Sequence, residues 1–81
     1  LNQTRRFPWG FIEVSLDVSG GLIRSCSIRG DYFFTRPTEE VEQALTGLPH
    51  SHDAVLTALS ALPLTDYFGP ATADELAELF L

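Results

Sequence analysis

The sequence predicts an α+β fold, a small antiparallel sheet of two to three strands with about three helices packed on one face. The residues before Asp31 show β-like alternation broken by glycines, whereas those after Arg36 show helical spacing. The 81 residues are 44% hydrophobic and 20% charged, which is typical of a globular chain. A chain of this length has room for one core, so we expect a single domain over residues 1–81.

The sheet is predicted from three segments. Residues 11–18 alternate at a period of two, which predicts a half-buried strand with one apolar face made of Ile12, Val14, Leu16 and Val18. Gly20 and Gly21 suit a tight hairpin turn into a second strand at 22–29. Its apolar residue Ile23 is out of phase with Cys26 and Ile28, and a β-bulge near Arg24 would restore the phase.

A third strand is predicted at Gln3–Phe7, since its two arginines suit an exposed sheet edge. The uncovered face of the sheet should then show Phe11, with Trp9 as a second candidate, and such exposed aromatic rings mark contact with another domain. The aromatic cluster at 32–34 should pack between the layers.

Three helices are predicted in the second half of the chain. The first opens at Pro37 and Thr38 and is stopped by Gly47, and it is predicted from apolar residues at helical spacing, namely Val41, Ala44, Leu45 and Leu48. The second is capped by Ser51 and ends at Pro63, and its apolar stripe consists of Val55, Leu56, Leu59 and Leu62. After a loop at 65–70, Thr72 and Glu75 form a capping box for a last helix that buries Leu76, Leu79 and Phe80.

The charges limit the functions that are open to the chain. Its five basic residues are all arginines, so no lysine amine can act as a nucleophile or acyl acceptor. Residues 1–36 have a net charge of +2 and residues 37–81 a net charge of −8, which disfavours general nucleic-acid binding. No apolar run reaches the roughly 20 residues of a membrane span, and no secretory signal pattern begins the sequence. We expect a cytoplasmic protein, and the absence of methionine indicates a processed product or a piece of a longer one.

The sequence gives little evidence for a catalytic, metal-binding or phosphate-binding site. His50 and His52 lack further ligands of a metal site, and Cys26 lies within a strand, where a thiol is usually inert. Gly20 and Gly21 join strands, unlike a phosphate-binding loop. No catalytic or metal residue is therefore predicted. The hairpin arginines leave two interpretations open, a solvated sheet edge or a convergent site for a phosphate or carboxylate; they are Arg5, Arg6, Arg24 and Arg29.

An ordered set of short motifs resembles the C-terminal domain of bacterial lipoate-protein ligases. The set covers nearly the whole chain from Arg5 onward, although each motif alone has low specificity. It consists of Phe7-Pro8-Trp9-Gly10, Ile12-Glu13-Val14, Leu16-Asp17-Val18, Ile28-Arg29-Gly30-Asp31, Leu45-Thr46-Gly47, Asp66-Tyr67-Phe68-Gly69 and Thr72 to Leu76.

The resemblance implies a non-catalytic accessory lid with a fold like that of iron-sulphur assembly accessory proteins. Its partner would be a catalytic domain, in the same chain or a separate subunit, that binds ATP and lipoate, forms lipoyl-adenylate and lipoylates a lysine of an acceptor protein. The lid itself would bind no cofactor. Its first interface candidates are Trp9, Phe11, Arg24 and Arg29. A sulfur or iron-sulphur carrier using Cys26, or a purely structural interaction module, is the alternative.

Overall fold

The computed structural model describes residues 1–31 and 36–81. Three antiparallel strands in the order β1-β2-β3 form a meander; they are β1 (Asn2–Phe7), β2 (Gly10–Ser19) and β3 (Leu22–Asp31). The helices that follow are α1 (Glu39–Leu45), α2 (His52–Ser60), α3 (Leu64–Phe68) and α4 (Ala73–Ala77), and a 3₁₀ turn at Glu78–Phe80 comes after them. The predicted α+β class is confirmed, whereas the aromatic cluster predicted at 32–34 lies outside the described residues.

The hairpin forms as its glycines predict. Gly20 and Gly21 have φ values of 61° and 76°, and two positive φ angles characterise the type I′ turn that fits the twist of paired strands. Asp17 pairs with Ser25 but Val18 pairs with Ile23, which leaves Arg24 as the extra residue of a bulge. The bulge predicted near Arg24 is therefore confirmed.

The apolar face of β2 is confirmed for three of its four predicted residues. Ile12, Val14 and Leu16 are buried, whereas Val18 is 40% exposed, so its predicted burial is wrong. At this end of the hairpin the segment around Leu48 pairs with β3 and not with β2, because the Ile23 N–H donates to the Leu48 carbonyl at 2.8 Å. Val18 therefore lies beyond the part of β2 that the core protects.

The core lies between the sheet and the helices. The helix α1 packs against β3, α2 packs against α4, and the 3₁₀ turn packs under β1 and β2. Among the described residues, the buried apolar side chains are Phe7, Ile12, Val14, Leu16, Ile23, Ile28, Val41, Leu45, Val55, Leu59, Tyr67, Phe68, Ala71, Leu76, Ala77, Leu79 and Phe80. Of the helices in residues 1–31 and 36–81, none has the length and apolar character needed to cross a membrane.

The loop predicted at 65–70 is wrong, because most of it belongs to α3. This helix begins after Pro63 and is followed by Gly69, whose φ of 66° ends it. Its residues Tyr67 and Phe68 are both buried. Pro63 therefore precedes α3, and α2 ends earlier, at Ser60.

The predicted apolar stripe of α1 also needs correction. Ala44 is exposed, and Val41 and Leu45 are the residues of this helix that reach the core. These two are four positions apart and so lie on one face of the helix. A seven-residue helix that rests on the edge of the sheet buries only this narrow face.

The capping box predicted for α4 is confirmed. The Glu75 N–H donates to Thr72 Oγ1 at 3.2 Å, and the Thr72 N–H donates to Glu75 Oε1 at 3.0 Å. We expect Thr72→Ala to lower the free energy of unfolding by about 1 kcal/mol. The Glu75 N–H loses its acceptor, and the Glu75 carboxylate that accepts from the residue 72 N–H is no longer held in place by the reciprocal bond. Chemical denaturation measures the change, with Thr72→Ser as the matched control. An alanine variant as stable as the parent would contradict the expectation.

Candidate interaction site

The sheet surface opposite the helices, here named the open face, carries side chains that alternate with the core residues along each strand. None of them is buried. The open face consists of Asn2, Thr4 and Arg6 on β1, Phe11, Glu13, Ser15 and Asp17 on β2, and Ser25, Ser27, Arg29 and Asp31 on β3. It is a mainly polar surface with one aromatic ring.

That ring belongs to Phe11, which is half-buried in the central strand. Phe11 pairs with Arg6 on one side and with Asp31 on the other. The Arg6 guanidinium carbon lies 5.8 Å from the centre of the Phe11 ring, within the range of a cation–π contact. The cation shields part of the ring, and the rest of the ring remains available to a partner.

Only some of the arginines form ion pairs with carboxylates within residues 1–31 and 36–81. The sequence has eleven acidic residues and five arginines. Arg5 lies 3.3 Å from Glu78 and Arg36 lies 3.1 Å from Glu40. Within residues 1–31 and 36–81, the other arginines have no carboxylate at ion-pair distance; they are Arg6, Arg24 and Arg29. All three lie on the hairpin half of the molecule, which can therefore attract an anionic group.

The structure does not bring the four hairpin arginines to one point. Arg5 lies on the core side of β1, where its guanidinium also stands 4.8 Å from the Phe7 ring centre. Arg24 lies at the bulge, about 20 Å along the sheet from the Phe11 row, and donates to the Ser19 carbonyl at 3.2 Å. Arg6 and Arg29 remain on the open face near Phe11. Of the two interpretations that the sequence left open for these arginines, the structure does not support a convergent anion site made by all four.

Trp9 is placed differently from Phe11. It lies in the turn between β1 and β2, where its ring stacks on Phe7 with centroids 4.6 Å apart and planes at 15°. It is half-buried and packs against the core. Trp9 is therefore absent from the open face, and the expectation that this face shows it is wrong.

A polar cluster that the sequence did not reveal joins the start of α1 to α3. The Arg36 side chain donates to both carboxylate oxygens of Glu40, at 3.1 and 3.3 Å, and Tyr67 Oη donates to Glu40 Oε1 at 2.9 Å. The hydrogen bonds from Arg36 and then from Tyr67 lower the pKa of Glu40. Burial, followed by the hydrogen bond to Glu40, raises the pKa of Tyr67. The spacing of Arg36 and Glu40 by four residues was the available sequence signal.

The lowered pKa of Glu40 predicts a pH dependence. A carboxylate with a depressed pKa in the folded state stabilises the fold above its unfolded pKa of about 4.3, and this contribution is lost as the pH falls through the folded pKa. The melting temperature of Glu40→Gln should therefore lie below that of the parent at neutral pH, with the two converging in acid. Thermal melts across this pH range test it, with the exposed Glu39→Gln as control. A gap that persists unchanged in acid would count against the assignment.

The two histidines have different environments. His50 is half-buried, where Nε2–H donates to the Phe80 carbonyl at 2.6 Å and the backbone N–H donates to the Gly21 carbonyl at 2.8 Å. His52 is exposed and lies 4.0 Å from Asp53. The described part of the chain contains no group of three or more His, Cys, Asp or Glu side chains that could hold a metal ion. His50 instead connects the 3₁₀ turn to the hairpin end.

The Cys26 thiol does not have the environment of a reactive group. Its side chain is half-buried against the core, and burial, with the nearby negative charge of Glu42, raises the pKa of Cys26 to about 12. The thiolate is the nucleophilic form of cysteine, so a thiol with this pKa stays protonated at neutral pH. The geometry does not favour the alternative of a sulfur carrier.

Cys26 should accordingly resist alkylation. At pH 8 we expect iodoacetamide to modify the native chain about 100- to 1000-fold more slowly than the guanidinium-denatured chain, because the folded state suppresses the thiolate. Mass spectrometry follows the reaction, and Ser27→Cys in a Cys26→Ala background provides a control on the open face. Equal rates for native and denatured chain would show that Cys26 is reactive after all.

These features describe a small α+β domain with a closed core, an uncovered polar sheet face and three arginines available to a partner. Over residues 1–80 the chain matches the family described as the bacterial lipoate protein ligase C-terminus. It therefore belongs to this family and is a C-terminal domain of a lipoate-protein ligase.

Curated relatives agree with this assignment. The chain is 33% identical over 79 residues to lipoate-protein ligase LplJ of Bacillus subtilis, a match that covers 98% of this chain and 24% of the relative. It is 38% identical over 74 residues to a lipoate-protein ligase of Streptococcus pyogenes, covering 91% of this chain and 22% of the relative. The chain is 30% identical over 80 residues to lipoate-protein ligase 2 of Staphylococcus aureus, a match that covers 99% of this chain and 24% of the relative. The chain thus spans about a quarter of the length of these relatives.

Proposed function

We propose that residues 1–81 form the non-catalytic accessory lid of an ATP-dependent lipoate-protein ligase, and that the lid assists activation of lipoate to lipoyl-adenylate. ATP and lipoate bind to a separate catalytic domain, which transfers the lipoyl group to a lysine of an acceptor protein. Two findings support the proposal: the chain belongs to the ligase C-terminal family, and it spans only 22–24% of the length of its first relatives.

The lid acts by shielding. An acyl-adenylate is a mixed anhydride that water hydrolyses, and closure of a domain over such an intermediate excludes water and orders the surrounding loops. The chain contains no lysine, and its thiol has a pKa of about 12, so its own side chains are poorly suited to covalent acyl transfer. Its contribution to the reaction is binding energy that favours the closed state.

The open face is the proposed contact surface with the catalytic domain. The observation that carries this choice is the combination of Phe11 with arginines that lack a described carboxylate partner in a chain with eleven acidic residues. Arg29 lies on the face itself, and Arg24 extends the contact toward the hairpin turn. Trp9 contributes from the adjoining β1–β2 turn. Aromatic and arginine side chains dominate the energetics of protein interfaces.

The setting of this activity is proposed to be the cytoplasm, without nucleic acid or membrane as partners. The net charge of −6 argues against those two partners, since an acidic chain is repelled by phosphate backbones and anionic bilayers. The lid acts in the same way whether it continues the catalytic chain or binds it as a subunit.

The test adds the purified chain to the catalytic domain of its own ligase and measures lipoate-dependent pyrophosphate release. We expect the rate to rise at least about tenfold, because closure orders the adenylate site. The chain alone and a heat-denatured sample are the controls. A rate that does not respond to the folded chain would refute the proposed role.

A further inference from the structure

The two edges of the sheet are not equivalent. Along β3 two outward N–H groups are bonded within the domain: the Ile28 N–H donates to Glu42 Oε2 at 2.7 Å, and the Ile23 N–H donates to the Leu48 carbonyl at 2.8 Å. Nearer the turn, the Gly21 carbonyl accepts from the His50 N–H at 2.8 Å. The helix α1 also packs against β3, so these contacts together obstruct the addition of another strand at this edge.

The outer edge of β1 is open. Leu1 and Leu16 exchange both backbone hydrogen bonds, at 2.7 and 3.0 Å, and this fixes the alternation of bonded pairs along the antiparallel ladder. The N–H and C=O groups of Gln3 and Arg5 consequently point toward β2. Those of the alternate residues point outward, and these residues are exposed; they are Asn2, Thr4 and Arg6. No other described segment pairs with this edge.

We propose that the β1 edge receives an extended, acidic segment of the ligase catalytic domain as an added fourth strand. The charge of the edge argues for this occupant, since Arg6 is exposed and has no described carboxylate partner although the chain is rich in acids. A strand that carries a carboxylate beside Arg6 completes both the backbone ladder and the ion pair. This inference rests on the proposed lid function and adds the mode of contact.

Amide hydrogen exchange tests the pairing directly. In the isolated chain the Thr4 and Arg6 amides should exchange fast, and saturating catalytic domain should slow them at least tenfold. The Gln3 and Arg5 amides serve as internal controls, because they already donate to β2. Binding that leaves the Thr4 and Arg6 rates unchanged would overturn the inference. Protection that grows with the concentration of the isolated chain would also overturn it, by identifying a second copy as the occupant.

A matched pair of variants provides the second test. Thr4→Pro removes the outward N–H but no bond to β2, and proline is tolerated at such edge positions, whereas Thr4→Val keeps the N–H. We expect Thr4→Pro to bind the catalytic domain at least tenfold more weakly than Thr4→Val, and Arg6→Glu to lose at least tenfold relative to Arg6→Gln. Equal affinities within both pairs, together with weakened binding by Phe11→Ala, would reject strand addition and leave the lid function standing. Absence of any binding by the parent chain would reject both.

Discussion

Replacing Phe80 by alanine is expected to lower the free energy of unfolding by about 3–5 kcal/mol. The Phe80 side chain is 1% exposed, and its 3₁₀ turn packs beneath both β1 and β2. Removing the ring leaves a cavity at the junction of the sheet with the last helix. Since small domains have a total stability of only about 5–15 kcal/mol, and this chain is near the small end, much of the population should unfold.

Chemical denaturation followed by circular dichroism measures this loss. Phe80→Leu is the matched control, because it keeps most of the buried apolar volume and should cost about 1–1.5 kcal/mol. If the alanine variant unfolds at the same denaturant concentration as the leucine variant, the 3₁₀ turn does not hold the core as described.

Phe11→Ala should have the opposite profile, with a large effect on association and a small one on stability. The Phe11 ring is half-buried on the open face and contacts the Arg6 guanidinium. Truncation of a central aromatic anchor costs about 2 kcal/mol or more of binding free energy, which corresponds to at least about thirtyfold in affinity. The unfolding free energy should change by less than about 1 kcal/mol, since the residue lies outside the core.

Titration calorimetry with the catalytic domain measures the affinity, and denaturation of the same sample measures the stability. Ser27→Ala, on β3 of the same open face, is the control and should bind like the parent. If Phe11→Ala binds with the affinity of the parent, the contact surface does not lie on the open face. If the variant loses unfolding free energy as well as affinity, the Phe11 ring contributes to folding.

Much of the sheet could be predicted because its signals are local. The alternation in β2 assigns Ile12, Val14 and Leu16 to the core, and the phase break at Ile23 requires an extra residue. The turn glycines fix the connection. These features depend on residues near one another in sequence, so they can be predicted without knowledge of the tertiary contacts.

The helix α3 and the cover of the β3 edge could not be predicted. Five residues between Pro63 and Gly69 are too few for a helical period to stand out, and α3 gains its stability by burying Tyr67 and Phe68. Likewise, nothing near Glu42 in sequence indicates that its carboxylate accepts the Ile28 N–H. Both depend on elements that meet only in the folded chain.

The site was predictable in its composition but not in its arrangement. Phe11 and Arg29 follow from the strand period, which places them opposite the buried residues. The separation of Arg24 from Arg6 follows from the distance between the turn and the other end of the hairpin. The stacking of Trp9 on Phe7 depends on the geometry of the first turn, which the sequence specifies only as Pro8 and Gly10.

The layered arrangement gives the domain a permanent electric polarity. The helical part, residues 36–81, has one arginine and eight acidic residues and so a net charge of −7, whereas the strand part, residues 1–31, has four arginines and three acidic residues and so a net charge of +1. Such an asymmetric charge distribution produces a torque in the field of a negatively charged partner, and this torque turns the sheet toward the partner, so that collisions through the sheet are more frequent than random orientation would give. Added salt should therefore lower the association rate constant more than it changes the lifetime of the complex. The reason is that charges further apart than the Debye length, about 8 Å at physiological salt, are largely screened.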